Sequence, residues 1–194
     1  MTLWRPTGPQ ELALTVFCED AESEYLITSL ITAGAPTGVK RLRLVQVVPA
    51  STVQTLGGLI AQERMPDRSI GVLDADQQAS PGCLLLPGEG SPERTAFQAL
   101  TEAAWGNVAE RLAVRHGDVL DAVEDTMRLE DAHTWPARLA ERLGPGVRAT
   151  RVWEAVADVW VRDVLEPSGR DAFVAEVVAA LPDAAVTATS ESSD

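Results

Sequence analysis

Four short segments rich in aliphatic and β-branched residues constrain the fold of this chain more than any other feature. They cover residues 12–17, 42–48, 69–73 and 83–86. Apolar segments of this length are typical of strands that are buried on both faces of a parallel sheet. Residues 21–31 have helical spacing, and a second helix is predicted to begin with Ser51 as its N-cap. The order β-α-β-α-β-β therefore predicts an α/β fold with a mainly parallel four-stranded sheet.

The character of the sequence changes after Ser91-Pro92-Glu93, where helical periodicity takes over. We predict six further helices, at residues 93–104, 108–116, 119–127, 135–143, 150–165 and 170–181. The predicted organisation is an α/β core at 1–104, a helical extension at 105–183 that completes or flanks it, and a disordered acidic tail at 184–194. Within the second helix, Gly57-Gly58 costs helix stability and could let another backbone approach closely.

The charge of the chain limits how it could bind nucleic acid. The 194 residues include 16 Lys and Arg against 29 Asp and Glu, for a net charge of -13. Such a chain is poorly suited to hold a phosphate backbone by charge alone. If it acts on nucleic acid, we expect metal ions to offset its carboxylates and a partner to supply the basic surface.

The cysteines and the hydropathy pattern point to an intracellular protein without a membrane partner. Cys18 and Cys83 both lie in apolar segments, which favours buried thiols over a disulfide, and two cysteines with two histidines make a structural zinc site a poor fit. No segment approaches the roughly 20 apolar residues of a membrane span, and the N-terminus lacks the pattern of a signal peptide. We expect a cytoplasmic location.

Acidic residues follow three of the predicted strands. Glu19 and Asp20 follow the first, Asp74 and Asp76 follow the third, and Glu93 comes shortly after the fourth. Because the carboxyl ends of parallel strands share one edge, these side chains should converge. Clustered carboxylates repel one another unless they are protonated or bound to cations, and oxygen ligands favour Mg²⁺ or Mn²⁺. The sequence therefore predicts a metal site, and two ions would suit a phosphodiester displacement.

These motifs resemble the TOPRIM domain, which is shared by topoisomerases, primases and the overcoming-lysogenization-defect (OLD) nucleases. The strand ending in Glu19 and the later strand ending in Asp74-x-Asp76 carry the resemblance. The stretch LLLPGEGSPE, with Ser91 and Glu93, resembles the Ser-x-Glu element of the OLD branch, and DAHTWPARLAERLG resembles a later helical element of that branch. The resemblance covers residues 12–165 and implies a Rossmann-like TOPRIM core.

The resemblance also implies roles for individual residues. Glu19, Asp74 and Asp76 would bind metal and take part in catalysis, Glu93 would contribute to a second metal, and the adjoining Asp20 and Ser91 are further candidate ligands.

The chain departs from the family pattern at three places. Gly usually follows the first Glu, where this chain has Asp20. An acidic residue usually lies four positions after that Glu, where this chain has Ser23, so Glu22 or Glu24 could substitute. The late basic catalytic residue would have to be one of three side chains, of which we favour the first: His133, Arg138 or Arg142.

OLD-type TOPRIM domains normally follow an ATPase domain, and this sequence has no Gly-x-x-x-x-Gly-Lys-Ser/Thr loop. The resemblance therefore implies a Mg²⁺-dependent endonuclease or nicking subunit that acts on DNA, or less expectedly on RNA. It also implies a separate ABC-type or AAA-type ATPase subunit, in a phage-defence complex. A homo-oligomer is compatible with the sequence.

Each motif also has a simpler structural interpretation. Asp-x-Asp is common in turns, Ser91-Pro92-Glu93 is a good helix start, and acidic residues after the first strand could stabilise a helix N-terminus. His133 could cap a helix or pack near Trp135. In a different functional class, the chain could be a receiver-like regulatory subunit or a TOPRIM-like scaffold whose acidic pocket is not catalytic.

Overall fold

The computed structural model describes residues 14–181 and contains one sheet of four parallel strands. The strands are β1 (Leu14–Cys18), β2 (Leu42–Gln46), β3 (Ser69–Leu73) and β4 (Cys83–Leu85), arranged in the order β2-β1-β3-β4. The helices of the described residues are α1 (Ala21–Gly34), α2 (Ala50–Ala61), α3 (Pro92–Ala99), α4 (Glu102–Leu112), α5 (His116–Met127), α6 (Trp135–Leu143), α7 (Ala149–Val159) and α8 (Pro167–Ala180). The predicted α/β fold with a Rossmann-like core and a helical extension is confirmed.

The register of the strands places their carboxyl ends side by side. Cys18 at the end of β1 pairs with Gln46 at the end of β2, and Leu73 at the end of β3 pairs with Leu85 at the end of β4. β1 also pairs with β3 in parallel. Residues that follow these strands therefore emerge at one edge of the sheet.

Helices cover both faces of the sheet. The connection through α1 leads from β1 to β2 on one side of it, and the connection through α2 leads from β2 back to β3 on the other side of β1. Because both connections are right-handed, α1 and α2 lie on opposite faces of the sheet. α1 packs against α3, α7 and α8, which join the sheet to the helical extension in one hydrophobic core. Within that core, the ring of Phe97 lies 5.3 Å from that of Trp105, edge to face, and 5.6 Å from that of Trp135.

The predicted close approach at the glycine pair is confirmed for Gly57. A β-carbon at Gly57 would collide with Sγ of Cys83 and lie 2.7 Å from the carbonyl oxygen of Pro81, whereas one at Gly58 would meet nothing within 4 Å. Glycine at position 57 thus lets α2 lie directly against the turn before β4.

The start of α2 was predicted wrongly. The helix begins at Ala50, with Pro49 in the N-cap position, so Ser51 lies inside the helix and is not its N-cap. Pro49 has no backbone N–H to leave unpaired and holds the extended conformation that precedes a helix, which allows the earlier start.

Several helix boundaries also differ from the prediction, including the start of α5 at His116 instead of residue 119. The segment predicted as one helix at 93–104 is α3 and α4, separated at Leu100, because the side chain of Thr101 accepts a hydrogen bond from the Ala104 backbone N–H and caps a new helix. α4 then continues through the predicted start at Val108 and ends at Leu112 instead of residue 116, because the next residue, Ala113, has a left-handed conformation with φ of 56°. Residue 104, the predicted limit of the core, thus lies within α4.

The last predicted helix pair is largely as expected. α7 ends at Val159 and the chain continues as a π-helical turn, Trp160–Val164. Residues 12 and 13 of the first predicted strand and the predicted disordered tail lie outside the described residues. Within 14–181, no helix has both the length and the apolar character that crossing a membrane requires.

Candidate functional site

Asp74 lies at the centre of the carboxyl edge of the sheet. It directly follows β3 and is only 4% exposed. Ser23 Oγ donates a hydrogen bond of 3.0 Å to Asp74 Oδ1. Burial, with the nearby charges of Asp20, Glu19 and Glu93, raises the pKa of Asp74 from 3.8 to about 7, although the bond from Ser23 acts in the opposite direction. Of the carboxylates predicted to converge, Glu19, Asp20 and Glu93 thus lie near enough to Asp74 to affect its pKa, whereas Asp76 is not among them.

Asp20 connects this carboxylate group to the start of α1. Its Oδ1 accepts a 2.8 Å hydrogen bond from the backbone N–H of Ser23, which makes Asp20 the N-cap of α1. The cap orients the first turn of the helix so that the side chain of Ser23 reaches Asp74. Asp20 therefore stabilises the N-terminus of α1, which was its simpler structural interpretation, and it also contributes negative charge at the site.

Glu93 is the most deeply buried acid of the site. It is 1% exposed, and it lies in the first turn of α3, where Ser91 is the N-cap and Pro92 is the first helical residue. Oε1 accepts a 3.0 Å hydrogen bond from Nδ1 of His133. Oε2 is buried and has no hydrogen-bond partner among residues 14–181. A buried carboxylate oxygen without a partner is costly and calls for an explanation.

His133 is the basic side chain that the structure brings to the site. Asp131 caps the short 3-10 turn Ala132–Thr134 by accepting from the His133 backbone N–H, which positions the imidazole. Burial lowers the pKa of His133, but the charge and hydrogen bond of Glu93, with Asp131 and Asp20, outweigh that effect and leave the pKa raised. The side chain is 58% exposed, so its other face is open to solvent.

The two arginines considered for the late basic role lie elsewhere. Arg138 is exposed and pairs with Glu141, and Arg142 is exposed and pairs with Asp125. Neither is among the charges that shift the pKa of Asp74 or His133.

Asp76 and Ser91 differ from the other predicted ligands. Asp76 is exposed, lies in a turn closed by a bond from the Gln77 backbone N–H to the Asp74 carbonyl, and accepts a side-chain hydrogen bond from Gln77. It is not among the charges that shift the pKa of Asp74. Ser91 Oγ accepts from the backbone N–H of Arg94 at 3.4 Å. Ser91 therefore caps α3, which was the simpler of its two interpretations.

The two glutamates considered as substitutes behave differently. The pKa of Glu22 is raised, mainly by burial and further by the charges of Asp20 and Glu93, against the lowering effects of a backbone hydrogen bond and of His133. Glu24 instead accepts a 2.6 Å hydrogen bond from the side chain of Gln46. Glu22 thus borders the site, whereas Glu24 is bonded at the end of β2.

Ser23 is the site residue that the sequence interpretation missed. It was noted only as a departure from the acidic residue of the TOPRIM pattern, yet it donates the buried hydrogen bond to Asp74. Its position in the first turn of α1, three residues after the N-cap residue Asp20, was the available signal.

Both cysteines are free thiols, and the predicted burial is confirmed for Cys18 but only in part for Cys83. Cys18 is buried, and its pKa is raised to about 12 by burial and by the charges of Glu24, Asp20 and Asp74. Cys83 is partly buried, and burial also raises its pKa. A thiol that stays protonated is a poor metal ligand and a poor nucleophile.

The site has features that suit a cation, although its side chains are not gathered into a coordination shell. A cation bound nearby would lower the raised pKa of Asp74 and would give the unpartnered Oε2 of Glu93 a partner. Across residues 14–181, no group of three or more His, Cys, Asp or Glu side chains is arranged closely enough to hold a metal ion. Binding of an ion there would require side chains such as Asp76 to turn inward.

Comparisons of the chain with protein-family models, with curated proteins and with solved structures find no match.

Proposed function

We propose that this chain is a Mg²⁺- or Mn²⁺-dependent phosphodiesterase subunit of the TOPRIM type that cuts or nicks DNA, with RNA as the second candidate substrate. One observation carries the proposal. Segments that follow β1, β3 and β4 bring Glu19, Asp74 and Glu93 to one edge of a parallel sheet, where the charges of Glu19 and Glu93 help to raise the pKa of Asp74.

The energetics of the buried carboxylates support a metal site over a purely structural cluster. Asp74 and Glu93 are both less than 5% exposed, and isolated buried carboxylates are strongly disfavoured. The fold offers them one hydroxyl and one imidazole. Divalent cations would offset the remaining charge, and an all-oxygen site favours Mg²⁺ or Mn²⁺.

The residues divide into holding and positioning roles. Asp74, Glu19 and Asp76 would hold one ion, and Glu93 would offer its unpartnered Oε2 to a second. Bound there, the ions would supply an activated water and stabilise the charge of a phosphodiester displacement. Ser23 and His133 would orient the carboxylates of Asp74 and Glu93. The open face of the His133 imidazole, with its raised pKa, would contact a substrate phosphate.

The charge of the chain supports a complex with another protein. A net charge of -13 opposes binding of a polyanion, and no arginine is among the charges that most shift the pKa of Asp74, Glu22 or His133. We therefore include in the proposal a separate ABC-type or AAA-type ATPase subunit that supplies the basic surface, as the resemblance to OLD nucleases implies.

Two measurements test the proposal. Mn²⁺ binding to the isolated chain is followed by electron paramagnetic resonance, and nicking of supercoiled plasmid is assayed with and without the product of the neighbouring gene. Asp74→Asn should lose at least tenfold in Mn²⁺ affinity and abolish nicking, which follows if Asp74 is a direct ligand. The control Asp121→Asn removes an exposed carboxylate of α5 and should behave as the wild type.

The alternative is a regulatory or scaffold subunit, which is compatible with a site whose carboxylates are not gathered into a ligand set among residues 14–181. If Asp74→Asn and wild type bind Mn²⁺ equally, the metal site is wrong. A different outcome is that Asp74→Asn loses Mn²⁺ binding, but no protein nicks the plasmid, not even the wild type with the product of the neighbouring gene. In that case the proposal of a phosphodiesterase is wrong and the regulatory alternative is retained.

A further inference from the structure

A cavity of about 280 Å³ opens between the start of α1 and the start of α7, beside the carboxylate site. Three glutamates line it, Glu22 and Glu24 from α1 and Glu154 from α7, together with Tyr25, which is partly exposed, and Trp153, which is only 3% exposed. None of its lining residues is basic. The cavity therefore combines negative charge with one partly exposed aromatic ring, that of Tyr25.

The aromatic walls of the cavity are held in place by hydrogen bonds. Trp153 Nε1 donates to the carbonyl oxygen of Glu22 at 3.0 Å, and the hydroxyl of Tyr25 donates to Asp158 at 3.3 Å. Asp158 is itself held by Ser29 and Arg111, at 2.9 and 3.0 Å. Because the ring of Tyr25 is already held in place, a ligand that packs against it has little ordering cost to meet.

We propose that this cavity receives an arginine side chain from the surface of a protein partner. A guanidinium group is planar, stacks on aromatic rings and pairs with carboxylates through several N–H donors, so it matches both kinds of wall. Arginine and aromatic residues are also the side chains most often responsible for affinity at protein interfaces. A nucleic acid does not fit, because its phosphates would face three glutamates.

The existing ion pairs show how an incoming arginine would be accommodated. Glu154 already pairs with Arg151 one turn earlier on α7, at 2.9 Å, and Arg151 is exposed. An exposed pair of this kind contributes little to stability. A second guanidinium on the cavity side of Glu154 therefore competes with a weak interaction.

The test is a titration of the full ¹⁵N-labelled chain with Nα-acetyl-arginine amide, followed at the indole N–H resonance of Trp153. A saturable shift is expected with the arginine probe and a weaker one with Nα-acetyl-lysine amide. Nα-acetyl-citrulline amide has nearly the same shape without the charge and should produce no saturable shift. An equal shift with citrulline, or no saturation with arginine, overturns the proposal.

A matched pair of variants separates the cavity from general surface charge. Glu154→Gln should weaken arginine binding about two- to fivefold, the effect of one partly exposed charge pair. Glu141→Gln removes the same kind of ion pair, Arg138 with Glu141 at 2.9 Å, away from the cavity and should leave binding unchanged. Equal effects from both variants overturn the proposal.

This inference goes beyond the proposed phosphodiesterase and does not depend on it. Asp74→Asn should lower the affinity for Mn²⁺ at least tenfold and leave the arginine titration unchanged. If the wild type binds the arginine probe but not Mn²⁺, only the metal site is rejected. If it binds Mn²⁺ but not the arginine probe, only the arginine cavity is rejected.

Discussion

Replacing Asp74 by asparagine should stabilise the metal-free protein at neutral and alkaline pH while it removes the proposed metal site. The folded protein holds the Asp74 carboxyl at a pKa of about 7, against 3.8 for an ordinary aspartate. Because the pKa of Asp74 is higher in the folded than in the unfolded protein, ionisation of this carboxyl lowers the free energy of unfolding. The wild type therefore has its full stability below about pH 4 and loses this part of it as the pH rises through 7. Asparagine keeps an acceptor for the hydroxyl of Ser23 but cannot ionise.

The size of the effect follows from the two pKa values. The difference between 3.8 and about 7, at about 1.4 kcal/mol per pKa unit, corresponds to about 4 kcal/mol when the carboxyl is fully ionised. Between about pH 5 and about pH 8 the advantage of Asp74→Asn over wild type should grow by about 2 to 3 kcal/mol. The new amide brings N–H groups that need partners, but this cost is the same at both pH values, so the change with pH reports the ionisation of Asp74 together with its coupling to the neighbouring acids.

Urea unfolding of the metal-free protein at the two pH values, with a chelator present, measures this difference. Asp76→Asn is the matched control, because Asp76 is exposed and belongs to the same turn. Its stability relative to wild type should not change between the two pH values. An equal Asp74→Asn advantage at both would show that burial and neighbouring charge do not hold Asp74 protonated, and would refute the electrostatic argument for the site.

Three further predictions test the surroundings of the site and the packing of the sheet. Ser23→Ala removes a buried hydrogen bond and should lower the free energy of unfolding by about 1 to 2 kcal/mol in urea, while raising the pKa of Asp74 further in a carboxyl NMR titration. His133→Gln removes an imidazole whose pKa is raised by Glu93, so the variant should lose more free energy of unfolding relative to wild type at about pH 5.5 than at about pH 8. An equal loss at both pH values would contradict a charged pair of His133 and Glu93. Gly57→Ala should cost about 1 to 3 kcal/mol because its methyl group has no room, whereas Gly58→Ala in the same helix should be neutral or stabilising. Thermal unfolding compares the two glycine variants, and equal effects would contradict the close approach at Gly57.

The sheet was predictable because its strands are short and apolar and are bounded by residues that favour turns. The bounds of β3, Ser69–Leu73, and of α6, Trp135–Leu143, agree with the predictions at both ends. In both cases the local pattern and the tertiary burial favour the same structure. The separation of α3 from α4 was not predictable from periodicity, since apolar spacing continues across Leu100 and only the cap at Thr101 divides the helices.

The candidate site was predicted at the level of strand ends but not at the level of side chains. Parallel pairing is sufficient to bring the segments after β1 and β3 together, which the sequence pattern indicates. The bond between Ser23 and Asp74 joins residues far apart in the chain, and its existence depends on the orientation of the first turn of α1. The outward position of Asp76 likewise depends on the turn conformation, which the Asp-x-Asp pattern leaves open.

The location of the buried acids is the strongest general argument for function at this edge of the sheet. The described residues include many acidic side chains, yet Asp74 and Glu93 are the two that are buried, and they come from different segments that the sheet brings to the same place. A chain selected for stability alone gains nothing from two carboxylates in one buried region, where apolar residues would fold at lower cost. Residues that break the local rules of folding without a structural benefit tend to be those that serve function. The hydrogen bonds from Ser23 and His133 each satisfy one oxygen and leave Oε2 of Glu93 without a partner in the described residues, so the region remains suited to a cation.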